Sequence, residues 1–534
     1  MSKTFKRCIT VVMCITFILS LFTGCGKPAG KEAKDLTAGQ TAQEKSEVKE
    51  VKKEHLKLEW MIPTQQKISV AESMVVKEIM KKFDVEFELT ELPPLDQHPE
   101  KKKLLIASQD IPDIMSWVTK DEANLYGPQG AFLELTPVLD TKIPNLKKLL
   151  DQDPGGKYNA YTTDGKLYRC PDYNTVSLPI FDFGYMKKEF EDTGVTKLDT
   201  WDDVYEGLKK LKAKYPNSYP LIARGKEISA NNVKSLTLFS FTEGKINPWQ
   251  QGAPAYDYDK DEFILGITAP GFKEGIEYFA KLYKEKLLDT EYLTTDMNGI
   301  KSKLQNKKGF MLMDFVGGLS GIDEVQKLID NALYPLELPG VQGKRRVLAQ
   351  NPVKTGDRGT VVSGKLSGDK LDRALEILNY LYSEECYNLL YWHPDVTMEK
   401  DGRKLYKDEM YNREPTTIDV YLPWSLIATF QVNYETTTKP GTPYADYKVN
   451  VFMNEKNQDR FVPTIVLPFT VDETNKINDL QKVVDDYYNA NVDQFVMGKK
   501  SMDKWDAFVN ELKTKGGDEI VKIYNDVYKK YFKK

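Results

Sequence analysis

At 534 residues the chain is too long for one small core, and a prior of roughly two to four domains applies. Its net charge of −4, with acids and bases evenly mixed, lacks the basic face that a nucleic-acid binder needs. Hydrophobic content is ordinary at 41%, whereas aromatics are many, with 30 Tyr, 23 Phe and 7 Trp, and they carry the argument on ligands below.

The first residues give an address. Lys3, Lys6 and Arg7 precede an apolar run from Cys8 to Phe22, followed by Thr-Gly-Cys at 23–25. That order reads as a secretory signal over 1–24 ending in a lipobox, with Cys25 the lipid-modified first residue of the mature chain. Phe22 stands where lipoboxes usually carry Leu; the alternative is an ordinary signal peptide with an incidental cysteine. Cleavage removes three positive charges and no acid, taking the net charge from −4 to −7. Cys8 and Cys14 leave with the signal, so only Cys170 and Cys386 remain in the folded part, read as two buried thiols rather than a stapled scaffold.

Residues 26–55 are rich in Lys, Glu, Ala, Gly, Thr and Gln, with almost no large apolar side chain. Such a segment cannot offset its ordering entropy, so it reads as a disordered tether spanning about 30 Å. Folded sequence begins at Leu56, where Leu56, Leu58, Trp60 and Ile62 alternate with Lys57, Glu59 and Met61 at the period of a strand. A helix at Val70–Phe83, a strand at Val85–Leu92, a helix near Lys101–Ser108 and a short strand ending at Trp117 follow. This alternation predicts βαβ units and a largely parallel sheet.

Gly165–Tyr168 reads as a hairpin arm, and Thr200 with Asp203 forms a capping box opening a helix with Trp201, Val204, Tyr205, Leu208 and Leu211 on its apolar side. Strands are predicted at Tyr219–Ala223 and Gly309–Met313, and a helix at Phe272–Leu287. The Pro- and Gly-rich stretch from Leu333 to Pro352 would carry the chain back to the first lobe. After Thr360–Ser363 comes one long amphipathic helix, Leu371–Trp392, and the last helices fall at Asn475–Met497, Ser501–Thr514 and Asp518–Phe532.

Catalytic machinery is sparse. Only His55, His98 and His393 exist, and neither Cys170 nor Cys386 carries a nucleophile motif. No phosphate loop, dinucleotide fingerprint or zinc spacing is present, so no cofactor is expected. Asp257, Asp259 and Asp261 resemble the start of a calcium loop, but Glu262 occupies the position that needs Gly, and the neighbours read as a hairpin turn. The aromatics are the better lead. Trp60 and Trp117 fall at or near strand carboxyl ends, Trp249 sits in the polar loop Asn-Pro-Trp-Gln-Gln, Asp314 and Phe315 follow a strand, and Trp392 and Trp424 lie at element ends. Flat rings stack on the apolar faces of sugars while nearby Asp, Asn and Gln bind hydroxyls; for any one tryptophan, core packing remains an equal reading.

Leu-Glu-Trp in the first strand, Asp-Ile-Pro-Asp-Ile-Met-Ser-Trp at 110–117, Asp-Gly-Lys-Leu-Tyr at 164–168 and Asp-Thr-Trp-Asp-Asp-Val at 199–204 add to the lipobox and tether. With the late helix 371–392 and the pattern around Trp505, this order of motifs resembles the extracellular solute-binding lipoproteins of carbohydrate-type ABC importers, family 1, in the Gram-positive branch. The resemblance implies a two-lobed α/β fold of the periplasmic-binding-protein type, with a ligand cleft between lobes and extra C-terminal helices. It implies lobe 1 at 56–172 and about 341–400, lobe 2 at 173–340 and about 401–470, and helices at 471–534 packing on the lobes. Trp60 to Thr64, Trp117, Lys120, Asp121 and Tyr173 or Asn174 would face the cleft from one lobe, and Trp249, Asp314, Phe315 and Trp424 from the other. Relatives often have a Gly-rich turn where this chain has Trp392-His393-Pro394. The implied task is capture of a sugar or oligosaccharide and delivery to an ABC permease, by a monomer lipid-anchored on the outer face of the cell membrane, without bond chemistry. The rival readings are a lipid-anchored polysaccharide-acting enzyme and a peptide-binding or surface-interaction lipoprotein.

Overall fold

The alternation at Leu56–Ile62 builds a strand whose far half is covered on both faces: Leu58, Trp60 and Ile62 enter one apolar cluster and Met61 enters another on the opposite side. The computed structural model describes residues 54–533 apart from 65–68, 93–96, 154–155, 175–180, 226–231, 247–250, 316–332, 349–353, 395–396, 401–402, 408–428, 431–446, 448–449, 452–453 and 464. The leader, Cys25, the tether through Lys53, Trp249 and Trp424 lie outside the described residues, as do the side chains of Asn174 and Phe315.

In chain order the strands are β1 (Leu56–Pro63), β2 (Val85–Leu92), β3 (Ile114–Thr119), β4 (Cys170–Asn174), β5 (Phe181–Tyr185), β6 (Leu221–Ala223) and β7 (Pro254–Asp257). They continue with β8 (Glu262–Leu265), β9 (Met311–Phe315), β10 (Tyr334–Leu336), β11 (Thr355–Val362), β12 (Thr397–Lys400), β13 (Arg403–Tyr406) and β14 (Thr429–Phe430). Two sheets dominate, one ordered β14-β4-β11-β3-β1-β2 and one ordered β10-β5-β9-β6.

The first sheet is mixed rather than largely parallel. β1 runs parallel to β2 and β3, and β14 parallel to β4, but β11 is antiparallel to both neighbours. β11 re-enters from the second sheet instead of through a helical crossover, so nothing forces it to run with the rest. Thr429 and Phe430 also add to the edge of this sheet beside β4.

Side-chain caps mark several helix starts. Thr200 accepts from Asp203 N–H at 3.1 Å while the Asp203 carboxylate accepts from Thr200 N–H at 2.9 Å, the reciprocal capping expected, and Trp201, Val204, Leu208 and Leu211 are all buried. Such a cap contributes about 1 kcal/mol. The single helix expected at Leu371–Trp392 is two, Gly368–Leu381 and Glu384–Tyr391. Ser383 breaks it by accepting from Cys386 N–H at 3.1 Å and so capping a new helix. Gly165–Tyr168 forms a turn closed by Thr162 N–H on Lys166 C=O, and the strand begins only at Cys170.

The helix Val471–Val496 places Ile477, Val484, Tyr488, Val492 and Phe495 on one stripe, and these join the core of the second sheet with Trp505, Phe508 and Ile520. Inside that core the Lys234 ammonium and the Tyr292 hydroxyl both donate to Asp493. Cys170 and Cys386 are free, buried thiols, and burial pushes each up to about 12. Neither is expected to react with a thiol-specific chromogenic disulfide in the native chain, whereas both should react in guanidinium; fast native labelling would contradict this packing.

Candidate functional site

The strand directions fix which edge of each sheet carries the strand carboxyl ends. β4 is antiparallel to β11, which is antiparallel to β3, so the carboxyl ends of β1, β2, β3 and β4 share an edge with the start of β11. In the second sheet the carboxyl ends of β6 and β9 share an edge with the start of β5. Six residues join Asn174, ending β4, to Phe181, starting β5. At no more than about 3.6 Å per residue these edges stand within about 25 Å of each other. Carboxyl-end edges are where open α/β sheets bind ligands.

On the first edge, Trp117 is the focus. The register between β3 and β11 slips between Gly359 and Val361, leaving Ser116 and Trp117 opposite Thr360. This bulge puts Trp117 at φ +63°, a left-handed backbone that costs a bulky residue about 1–3 kcal/mol. The surroundings hold it there. Lys102 Nζ donates to Trp117 C=O at 2.8 Å and to Glu122 at 2.7 Å, and Glu122 in turn accepts from Thr119 N–H at 2.9 Å in a capping box. The Arg358 guanidinium lies 4.0 Å from the indole centroid. His98 packs edge-on at 6.1 Å, and burial, reinforced by the Lys102 charge, pushes its imidazole down to about 4, so it stays neutral.

Lys120 and Asp121 open the helix Lys120–Tyr126 directly after β3. Asp121 is exposed, and loss of water around its carboxylate, reinforced by the Asp357 charge, raises its pKa. Enclosure likewise lowers the pKa of Lys120, with Asp121 and Asp357 opposing the shift. Asn478, from the helix Val471–Val496, is within hydrogen-bonding reach of Asp121. Thr64 follows β1 on the same edge, its N–H donating to Leu92 C=O at 2.8 Å.

Other expected residues lie deeper in the fold. Trp60 is 1% exposed, packs edge-on against Phe87 and donates its indole N–H to Ser116 at 2.9 Å, so it is core. Tyr173 is 2% exposed, on the strand that pairs with β11 and β14. Asp314 is fully buried, accepting from Arg224 Nε at 2.9 Å and Nη2 at 2.7 Å. It holds a guanidinium at the carboxyl end of β6, and Arg224 rather than Asp314 reaches the second edge.

Residues missed in the sequence complete the first edge. Asp172 lies beside Asp357, Arg169 and Arg358; burial pushes its carboxyl up to about 7, with Arg169 opposing. Arg169 is itself buried and ties Gly356, Arg358 and Asn159 carbonyls together. The available signal was the charged pair Asp357-Arg358 in the first half of a strand, and Arg224 immediately after one. Because the folded carboxyl of Asp172 binds its proton more tightly than the unfolded one, its contribution to stability is present at acid pH and falls as pH rises from about 4 to about 7. Asp172→Asn should flatten that fall; thermal melts of both forms at pH 5 and pH 8 check it.

Asp257, Asp259 and Asp261 do not converge. Lys245 meets Asp259 at 2.7 Å, and Asp261 accepts from Tyr256 and Tyr528 hydroxyls at 2.7 and 2.5 Å in the turn joining β7 to β8, the hairpin expected.

Two α/β halves joined by a short crossover between their carboxyl-end edges have the two-lobed arrangement of a ligand-binding protein. The chain belongs to the bacterial extracellular solute-binding protein family, whose model matches residues 74–395. It is 23% identical over 486 residues to Lipoprotein LipO of Bacillus subtilis, covering 82% of this chain and 85% of that one. It is 24% identical over 257 residues to the fructooligosaccharide ABC transporter substrate-binding protein FusA of Streptococcus pneumoniae, a match to 44% of this chain and 45% of FusA. The fold resembles the crystal structure of the alginate-binding protein AlgQ2, with a TM-score of 0.71 and 19% identity over 89% of this chain and 98% of that one.

Proposed function

We propose that the protein captures a sugar or oligosaccharide between its facing sheet edges and delivers it to an ABC permease, held to the outer face of the cell membrane through lipid on Cys25. The observation that carries this reading is Trp117, fixed in a left-handed conformation by Lys102, Glu122 and Arg358 at the edge where a ligand would meet it. A pre-set aromatic face flanked by charged hydrogen-bonding groups suits a ring with an apolar face and hydroxyl edges. The name of FusA supports the saccharide class, and LipO supports a lipoprotein. Thr64, Lys120, Asp121, Asp357 and Arg358 are assigned to one wall and Arg224 to the other, with lobe 1 built on 56–172 and 341–400. An open form binds on one lobe, and closure follows from the ligand's extra affinity for the closed state.

A thermal-shift screen of mono- and oligosaccharides against peptides tests the reading, because a ligand that binds only the native state raises Tm by mass action. A saccharide-dependent rise is expected. A rise with peptides alone, or new reducing ends released from a glycan, would replace it with a rival.

A further inference from the structure

Where the first turns of the helix Val471–Val496 pass the helix Lys120–Tyr126, the fold leaves a cavity of about 280 Å³. Asp121 and Leu125 form part of one wall; Phe469, Thr474, Asn475 and Asn478 face them from the other. The first wall belongs to the helix that caps the first sheet, whose Ala123 packs with Met61, Met115 and Val118. The second belongs to the core of the other sheet, which Ile477 and Phe469 join. The cavity is therefore made of both halves of the molecule.

Its chemistry is mixed in a particular way. Ile106, Leu125, Phe469 and Val471 offer apolar surface, while two carboxylates, one ammonium, two hydroxyls and three amides supply donors and acceptors. That combination matches a sugar ring, apolar across its CH face and polar around its rim. Asp121 is also the electrostatic neighbour of Lys120 and Asp357, so one side chain belongs both to the cavity and to the edge that carries Trp117. About 300 Å³ is the lower end of small-molecule sites, so the space suits the end of a ligand rather than the whole of one.

We infer that this cavity is a terminal subsite, taking the end unit of an oligosaccharide whose remaining units run past Asp121 along the edge that holds Trp117. The inference rests on the saccharide reading above and adds chain length to it. A ligand long enough to reach the subsite touches both walls at once. It thereby gains affinity only when both halves are in place, which is the differential binding that drives closure. A shorter ligand lacks that contact.

Calorimetric titration of the full mature chain with two series, sucrose–kestose–nystose and maltose through maltopentaose, tests this against Asn478→Ala and Leu125→Trp. In the wild type, affinity within the binding series should rise about tenfold from the shortest to the longest member. In both variants that rise should shrink to less than about threefold, with unliganded melting curves close to wild type. Leu125→Trp fills the space and decides the matter if Asn478→Ala folds poorly. Equal affinity for short and long members in the wild type overturns the subsite while leaving saccharide capture standing, as does a length-dependent gain that survives Leu125→Trp. Failure of every saccharide to bind overturns both.

Discussion

Trp117→Ala should weaken saccharide binding by about thirtyfold, a loss of about 2 kcal/mol, while moving the unliganded melting temperature little. The magnitude is that of a buried aromatic anchor at a binding hot spot. The small effect on folding has a specific cause. Removing the ring gives up its contacts with Arg358 and His98, but alanine at φ +63° carries less steric strain than tryptophan, so the two effects oppose one another. Titration calorimetry and a thermal melt on the same preparation separate them. Unchanged affinity in a folded variant would remove Trp117 from the site and with it the main support for the saccharide reading.

The largest loss of stability is expected at Asp314→Ala, about 3 kcal/mol by urea denaturation. Asp314 is fully buried and takes both Arg224 contacts; its removal leaves a largely enclosed guanidinium without that counter-charge. Breaking one member of a buried pair costs about 3–5 kcal/mol, and the lower end applies because the Arg224 side chain keeps 13% of its exposure. Arg224→Leu removes the charge together with its partner's need for it only in part, since Asp314 then lies buried and unpaired with Arg224. The two variants should therefore both destabilise, and Asp314→Ala combined with Arg224→Leu should recover part of the loss. A double variant no better than the singles would show that the pair is not the unit that matters.

These two residues mark the difference between what a motif shows and what packing decides. Both were singled out in the sequence as strand-end residues facing a ligand, yet one presents its ring at an edge and the other stays beneath the surface to hold an arginine. Trp60 shows the same divide: it lies only a few residues before the end of β1, but it sits in the half of the strand covered on both faces. Strand period cannot show that second cover, because the elements supplying it come from elsewhere in the chain. Asp172, Asp357 and Arg358 were missed for the converse reason. Each is an ordinary charged residue locally, and their proximity exists only because β11 returns between β3 and β4.

What the sequence by itself determined is the local layer: the alternating first strand, the capping box at Thr200 and Asp203, the hairpin at Asp257–Glu262, the stripe of the last long helix, and an order of motifs specific enough to name the family. Those features depend on neighbours a few residues apart, where backbone geometry and side-chain period act directly. Only the tertiary structure decided that β11 runs antiparallel, that Trp117 sits half-buried at a bulge while Trp60 is fully buried, and that a cavity opens between Asp121 and Asn478. Each of these arises from contacts between segments far apart in the chain, or from a competition among local preferences that such contacts settle, so no window of sequence contains its cause.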